Sequence, residues 1–185
     1  MSLSLLSILL GIAFAVPAVY GLIKPAEFRK AMKAFPRSNN WGYLLMALST
    51  AWFLYLVKLE DISDFAAYKN MMIIGFAAIG IGTAIYVRDF LAVRGAAIFM
   101  LLLAKLMVES ARWVDTQWRL VIVVWAYALV IAGMWFTISP WRMRDLIQWA
   151  IKDLSRLKIL CFSRIAFCAL VIVLGVTVFR TAPQL

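Results

Sequence analysis

Six long apolar runs, separated by short charged segments, leave this chain few ways to fold. They cover residues 3–23, 41–57, 71–87, 91–108, 120–138 and 160–179. A 30 Å hydrocarbon layer takes roughly 20 apolar residues in an α-helix, and each run approaches that length. Lipid offers no partners for backbone N–H and C=O groups, so a crossing segment must satisfy them itself, as a helix does. The expected fold class is all-α: a polytopic integral membrane protein, a six-helix transmembrane bundle forming one domain over 1–185. Composition agrees. The chain is 65% hydrophobic and 15% charged, against roughly 45–50% and 25% in soluble domains.

The first run contains Pro17, which predicts a kink or break there. Ala13-Phe14-Ala15 resembles a small-residue cleavage site, but no basic residue precedes the apolar core, so the run is read as a retained helix rather than a leader. Aromatic residues that favour the headgroup level bracket the runs: Trp41, Tyr43, Tyr86, Trp113, Trp118, Trp135, Trp141 and Trp149.

A net charge of +10 raises the question of nucleic acid, but the distribution of the cations answers it. Loop one carries Lys24, Arg29, Lys30, Lys33 and Arg37. Arg88 and Arg94 flank loop three, and loop five carries Arg142, Arg144, Lys152, Arg156, Lys158 and Arg164. Only Lys58, Lys69, Lys105, Arg112, Arg119 and Arg180 remain for the other side. The positive-inside rule then places loops one, three and five in the cytoplasm and both termini on the non-cytoplasmic side, as in a bacterial cytoplasmic membrane. Membrane lipids and other integral membrane subunits, or copies of the chain itself, are the expected partners. Nucleic acid is not.

Loops one and five share more than charge. Pro25 and Pro140 are 115 residues apart, as are Arg29 and Arg144, and Tyr20 and Trp135. Proline at a first helical position is pre-organised for a helix. Behind it, Phe28, Ala31, Met32 and Phe35 repeat at i, i+3, i+4, i+7. Met143, Leu146, Ile147 and Ala150 do the same, continued by Leu154 and Leu157. Two amphipathic surface helices are predicted, over about 25–35 and 140–158. Three repeated hairpins would follow if the short turn Arg88-Asp89-Phe90 is a reduced copy. Duplication and convergence under a restricted residue alphabet both fit.

Several chemistries are excluded. The chain has no histidine, so histidine-ligated haem, histidine zinc sites and Ser-His-Asp triads are out. Cys161 and Cys168, seven residues apart on one predicted helix, sit about 10 Å apart along its axis, too far to bridge. Cys161 could be acylated or simply inert, and Cys168 reads as a small buried apolar group. No phosphate-cradling loop, nucleophile elbow or paired-cysteine metal spacing occurs. No catalytic residue, metal or cofactor is expected; bound lipid is.

Three sets of residues are candidates for function. Lys105, Glu109, Arg112 and Asp115 follow one another at helical spacing. They form either an intramembrane polar site or an interfacial ladder beside Trp113 and Trp118, with Lys105 snorkelling outward. Arg142, Arg144, Lys152, Arg156 and Lys158, with Trp141 and Trp149, form a basic, aromatic face suited to anionic headgroups or a docking partner. Gly75, Ala78, Gly80 and Gly82 are small residues that let helices approach closely, as are Gly11 and Ala15.

One local likeness stands in loop one. Gly21-Leu-Ile-Lys-Pro-Ala-Glu-Phe28 is similar to the end of the first helix of the tryptophan-rich sensory protein (translocator protein) family. The likeness covers about eight residues. That family has five helices and a proline- and tryptophan-rich start to its second, where this chain reads Arg37-Ser-Asn-Asn-Trp-Gly-Tyr43. Nothing is carried over from it.

Three readings of function follow. The first is a non-catalytic accessory or scaffold subunit of a larger membrane complex. It would pack through its transmembrane helices and its basic amphipathic helix. The second is a small oligomeric transporter or channel using Lys105 and Glu109. The third is an intramembrane lipid-acting enzyme using Asp89, Asp145 and Arg144, which needs its carboxylates to converge.

Overall fold

The computed structural model describes residues 2–60, 68–87 and 89–182. Every regular element among them is helical. In chain order these are α1 (Leu3–Ile23), α2 (Pro25–Ala34), a 3-10 turn (Phe35–Arg37), α3 (Asn39–Leu59), α4 (Lys69–Tyr86), α5 (Leu91–Arg112), α6 (Arg119–Ile138), α7 (Pro140–Ile151), α8 (Leu154–Val176) and α9 (Val178–Thr181). Six helical stretches, α1, α3, α4, α5, α6 and Leu154–Thr181, are long and apolar enough to cross a membrane. Arg88 lies outside the described residues.

The repeat predicted from loops one and five reappears in the helix boundaries. α1 ends at Ile23 and α6 at Ile138; α2 begins at Pro25 and α7 at Pro140; α3 begins at Asn39 and α8 at Leu154. Each pair is 115 residues apart. Among its described residues the middle turn has no surface helix. It closes on Phe90, whose φ of 56° is left-handed and costs a residue with a Cβ about 1–2 kcal/mol. Its ring offsets part of this by packing on Val93, Ala97 and Phe136.

Two expectations are corrected. Of the kink or break expected at Pro17, the break is overturned: α1 is one continuous helix with Pro17 inside it; within membranes neighbouring groups and local adjustment re-satisfy the carbonyl that proline frees. The surface helix of loop five stops at Ile151, not at 158, because the chain bends at Lys152 and Asp153. Asp153, extended at φ −110° and ψ 136°, starts α8. The apolar period runs through that bend unchanged, so periodicity alone hides it. The last spanning helix therefore begins six residues before the expected 160, and Arg156, Lys158 and Arg164 ride on it.

The chain forms two compact units. The first holds 1–33, 103–131 and 144–185. Its spine is an antiparallel pair, α1 against α8. The α1 contact face, Leu3, Ser7, Leu10, Gly11, Ala18 and Gly21, recurs at helical spacing. Gly11 meets Ile172 and the Cys168 carbonyl, Gly21 meets Cys161 Sγ, and Gly175 meets Ser4 and Ser7. Missing Cβ atoms let the two backbones close up, as membrane helices require when lipid is as apolar as leucine. Ser4 Oγ adds a 2.7 Å hydrogen bond to the Gly175 carbonyl. Ala18, rather than the expected Ala15, is the small residue buried beside Gly11 on α1. Cys161 and Cys168 are both buried, as small groups packed toward α1.

The second unit holds 34–102 and 132–143. α3 and α5 cross where a Cβ on Gly95 would stand 2.8 Å from Met46 N, and one on Gly42 2.9 Å from Leu91 Cβ. Ser49, fully buried, donates to the Gly95 carbonyl at 3.1 Å. Trp52 meets Phe99 edge to face at 5.4 Å, and Phe53 meets Phe76 on α4 at 5.1 Å. Val93, Ala97 and Phe136 form its core cluster.

Candidate functional site

The ladder at the end of α5 is partly assembled. Lys105 Nζ lies 2.8 Å from Glu109 Oε1, and their side chains are 38% and 52% exposed. Arg112, one turn on, lies over the Trp113 ring at 5.4 Å instead of extending the ladder. Trp113 is itself exposed, and Asp115 stands beyond the helix end in exposed chain. Two of the four residues thus meet, and a third turns to an aromatic face.

The basic face of loop five is shared with loop one. Arg29 of α2 donates from Nη2 to the Lys152 carbonyl at the α7–α8 bend, 3.2 Å away. A groove of about 740 Å³ between these helices is lined by Arg29, Lys33, Asp145, Gln148, Trp149, Ile151 and Lys152. Arg156 stacks on Trp149 at 4.7 Å, donates to its carbonyl at 3.1 Å and pairs with Asp153 at 3.1 Å. Arg144 pairs with Asp145 at 2.9 Å. Trp141 and Trp149 remain exposed, as do Arg142 and Lys158. The cations of α2 were not singled out from sequence; the 115-residue offset was the available signal that α2 and α7 are equivalent elements.

The predicted apolar stripes hold only in part. In loop one, Phe28 and Met32 on α2 and Phe35 in the 3-10 turn are half-buried while Ala31 is exposed; in loop five, Met143, Ile147 and Ala150 on α7 turn inward while Leu146 on α7 and Leu154 at the start of α8 face out. At the head of α2, Tyr20 donates to Glu27 at 2.7 Å and Lys24 pairs with it at 3.2 Å. These hydrogen bonds, Tyr20's first, hold the Glu27 carboxyl below its ordinary value.

A third place was missed. Arg94, counted from sequence as a loop-flanking charge, stands in the first turn of α5. It lines a cavity of about 350 Å³ walled by Met46, Phe53, Phe76, Ile79 and Ile98, with Thr50, Gly80, Thr83 and Thr137. Its Nε is buried and has no hydrogen-bond partner among the described residues. An arginine one turn inside an apolar run looks like a boundary cation until the packing of α3 and α4 is known, so sequence held no signal for this.

No family model, curated protein or solved structure matches the chain. Function is therefore argued from these sites alone.

The small residues of α4 divide into two groups. Gly80 is buried against Thr50, where an added Cβ would come within 2.6 Å. Gly75 and Gly82 have nothing within 4 Å of such a Cβ, and Ala78 between them is exposed. α4 accordingly has two small-residue faces, one in use by α3 and one bare.

Proposed function

We propose that this chain is a non-catalytic accessory or scaffold subunit of a larger membrane complex. The observation that carries this is the bare Gly75–Ala78–Gly82 face of α4. Small residues at that spacing give a helix a shallow groove, and between helices in lipid the gain comes from close backbone approach. Lipid tails fill such a groove less well than a helix does. The occupant is an apolar transmembrane helix of a partner subunit. Gly80 is the one buried residue of α4, and the Gly75–Ala78–Gly82 face is open to such a neighbour.

The basic groove of α2 and α7 supplies the second anchor, to anionic lipid headgroups. Lysine and arginine near a negative leaflet contribute about 1 kcal/mol each, and Trp149 suits the headgroup level. This reading sets α2 and α7 against the cytoplasmic leaflet of a bacterial inner membrane, with both termini on the other side. The cation imbalance between loops supports it.

Extraction in a mild detergent, followed by mass spectrometry of co-purifying proteins, tests the proposal. A stoichiometric set of membrane partners that is lost in Gly75→Leu and Gly82→Leu is expected. A clean homo-oligomer, or partners retained in both variants, would count against it.

A further inference from the structure

We infer that the Arg94 cavity binds a single-chain anionic amphiphile, an acyl carboxylate whose head pairs with the guanidinium and whose tail lies among Phe53, Phe76, Ile79 and Ile98. The cavity is walled almost wholly by apolar groups, yet one wall carries a permanent positive charge. Arg94 is half-buried, and its Nε is buried with no hydrogen-bond partner among the described residues. A buried polar group left unpaired is costly, and ionisable groups within membrane helices mark binding or transport paths more often than structure.

The lining decides the sign of the occupant. Arg94 is the only charged residue among those that line the cavity, so a cation or a zwitterion would bring an unanswered positive group. Thr83 and Thr137 spend their hydroxyl protons on their own helices, on the Ile79 and Gly133 carbonyls at 2.8 Å. They leave Arg94 as the strong donor, and a guanidinium matches a carboxylate in fork geometry.

Size decides the tail. About 350 Å³ lies near the lower end of the roughly 300–1,000 Å³ range for small-molecule sites. A second, apolar groove of about 470 Å³ runs along α3 and α4 past Tyr43 and Ile85. The Thr50–Gly80 contact, with no room for a Cβ, closes the α3–α4 seam that both share. One chain, rather than two, fits on the Arg94 side.

The test is equilibrium binding of radiolabelled palmitate, hexadecanol and dipalmitoyl phosphatidylglycerol to the delipidated full-length chain in a neutral maltoside detergent. Saturable palmitate binding at one per chain is expected, weakened at least tenfold in Arg94→Gln and less in Arg94→Lys. Hexadecanol should bind as weakly to the wild type as palmitate does to Arg94→Gln. Folding of the variants is checked by circular dichroism and gel filtration. Unchanged palmitate affinity in a folded Arg94→Gln protein overturns the inference, and so does hexadecanol binding as tightly as palmitate. Phosphatidylglycerol binding at one per chain without palmitate binding overturns it too. Should Arg94→Gln not fold, Ile98→Phe fills the cavity and keeps the charge. Palmitate binding unaffected by that change would equally refute the site.

Discussion

Arg164, midway along α8, lies over the ring face of Phe14 on α1, 5.0 Å from its centroid. Phe14 in turn meets Trp125 edge to face at 5.1 Å, and Trp125 meets Phe167 at 5.2 Å. The charge that rides on the last spanning helix is thereby answered by the negative face of an aromatic ring, whose quadrupole attracts a cation most strongly where water is excluded. Phe14→Leu keeps most of the apolar volume and removes the quadrupole. It should lower stability by about 0.5–1 kcal/mol, since Arg164 is exposed, with Phe14→Tyr close to wild type, read as the unfolding midpoint in detergent.

Glycines on these helices should separate by what surrounds them. Gly95→Ala drives a methyl to 2.8 Å from Met46 N and 3.0 Å from Leu45 C, backbone atoms that cannot rotate away. A loss of about 1–3 kcal/mol is expected. Gly75→Ala meets nothing and replaces the poorer helix former, so the isolated chain should be unchanged or gain up to about 1 kcal/mol. Equal effects of the two would mean that α3 and α5 do not cross at Gly95.

Acidification should loosen the head of α2. The folded-state pKa of Glu27 is depressed by its hydrogen bonds from Tyr20 and then Lys24. A depressed carboxylate contributes stability that is present above its unfolded pKa and lost as pH falls through its folded one. Amide exchange at Phe28, whose N–H is bonded to the Lys24 carbonyl, should quicken below about pH 4 relative to the rest of α2. Glu27→Gln should remove most of that pH dependence.

The Lys105–Glu109 pair is too exposed to matter much to folding. Glu109→Gln should change stability by less than about 1 kcal/mol and leave partner recovery intact. A larger loss would show that the pair is desolvated in its native surroundings. If proteoliposomes carrying the wild-type chain showed flux that Glu109→Gln abolished, the transport reading would displace the subunit one.

Run length and proline position made most of the architecture readable in advance. Apolar runs near 20 residues are dictated by bilayer thickness, and Pro25 and Pro140 suit a first helical position, so α1 to α6 and the start of α7 fall within a few residues of expectation. Asp153 was not readable as the start of α8, because Leu146, Ile147, Ala150, Leu154 and Leu157 keep one period across the bend. The site residues divide along the same line. Trp149, Lys152 and Arg156 were legible because a basic face with aromatics is a local pattern. Arg94 and the meeting of Arg29 with Lys152 were not, since they depend on which helices become neighbours. The Lys105 ladder looked continuous in sequence, yet spacing cannot foresee that Arg112 turns to Trp113.

The α1–α8 pair sets an order on how the molecule is made. Ser4 and the Gly175 carbonyl it bonds are 171 residues apart. At roughly 5–20 residues per second, a ribosome takes about ten to thirty seconds to span that distance. Throughout that interval α1 sits in the bilayer with its Gly11 and Gly21 grooves facing lipid or the insertion machinery. Any process that delays delivery of α8 therefore exposes the first helix to capture by the wrong neighbour, and mutations on that seam should show up first as poor biogenesis.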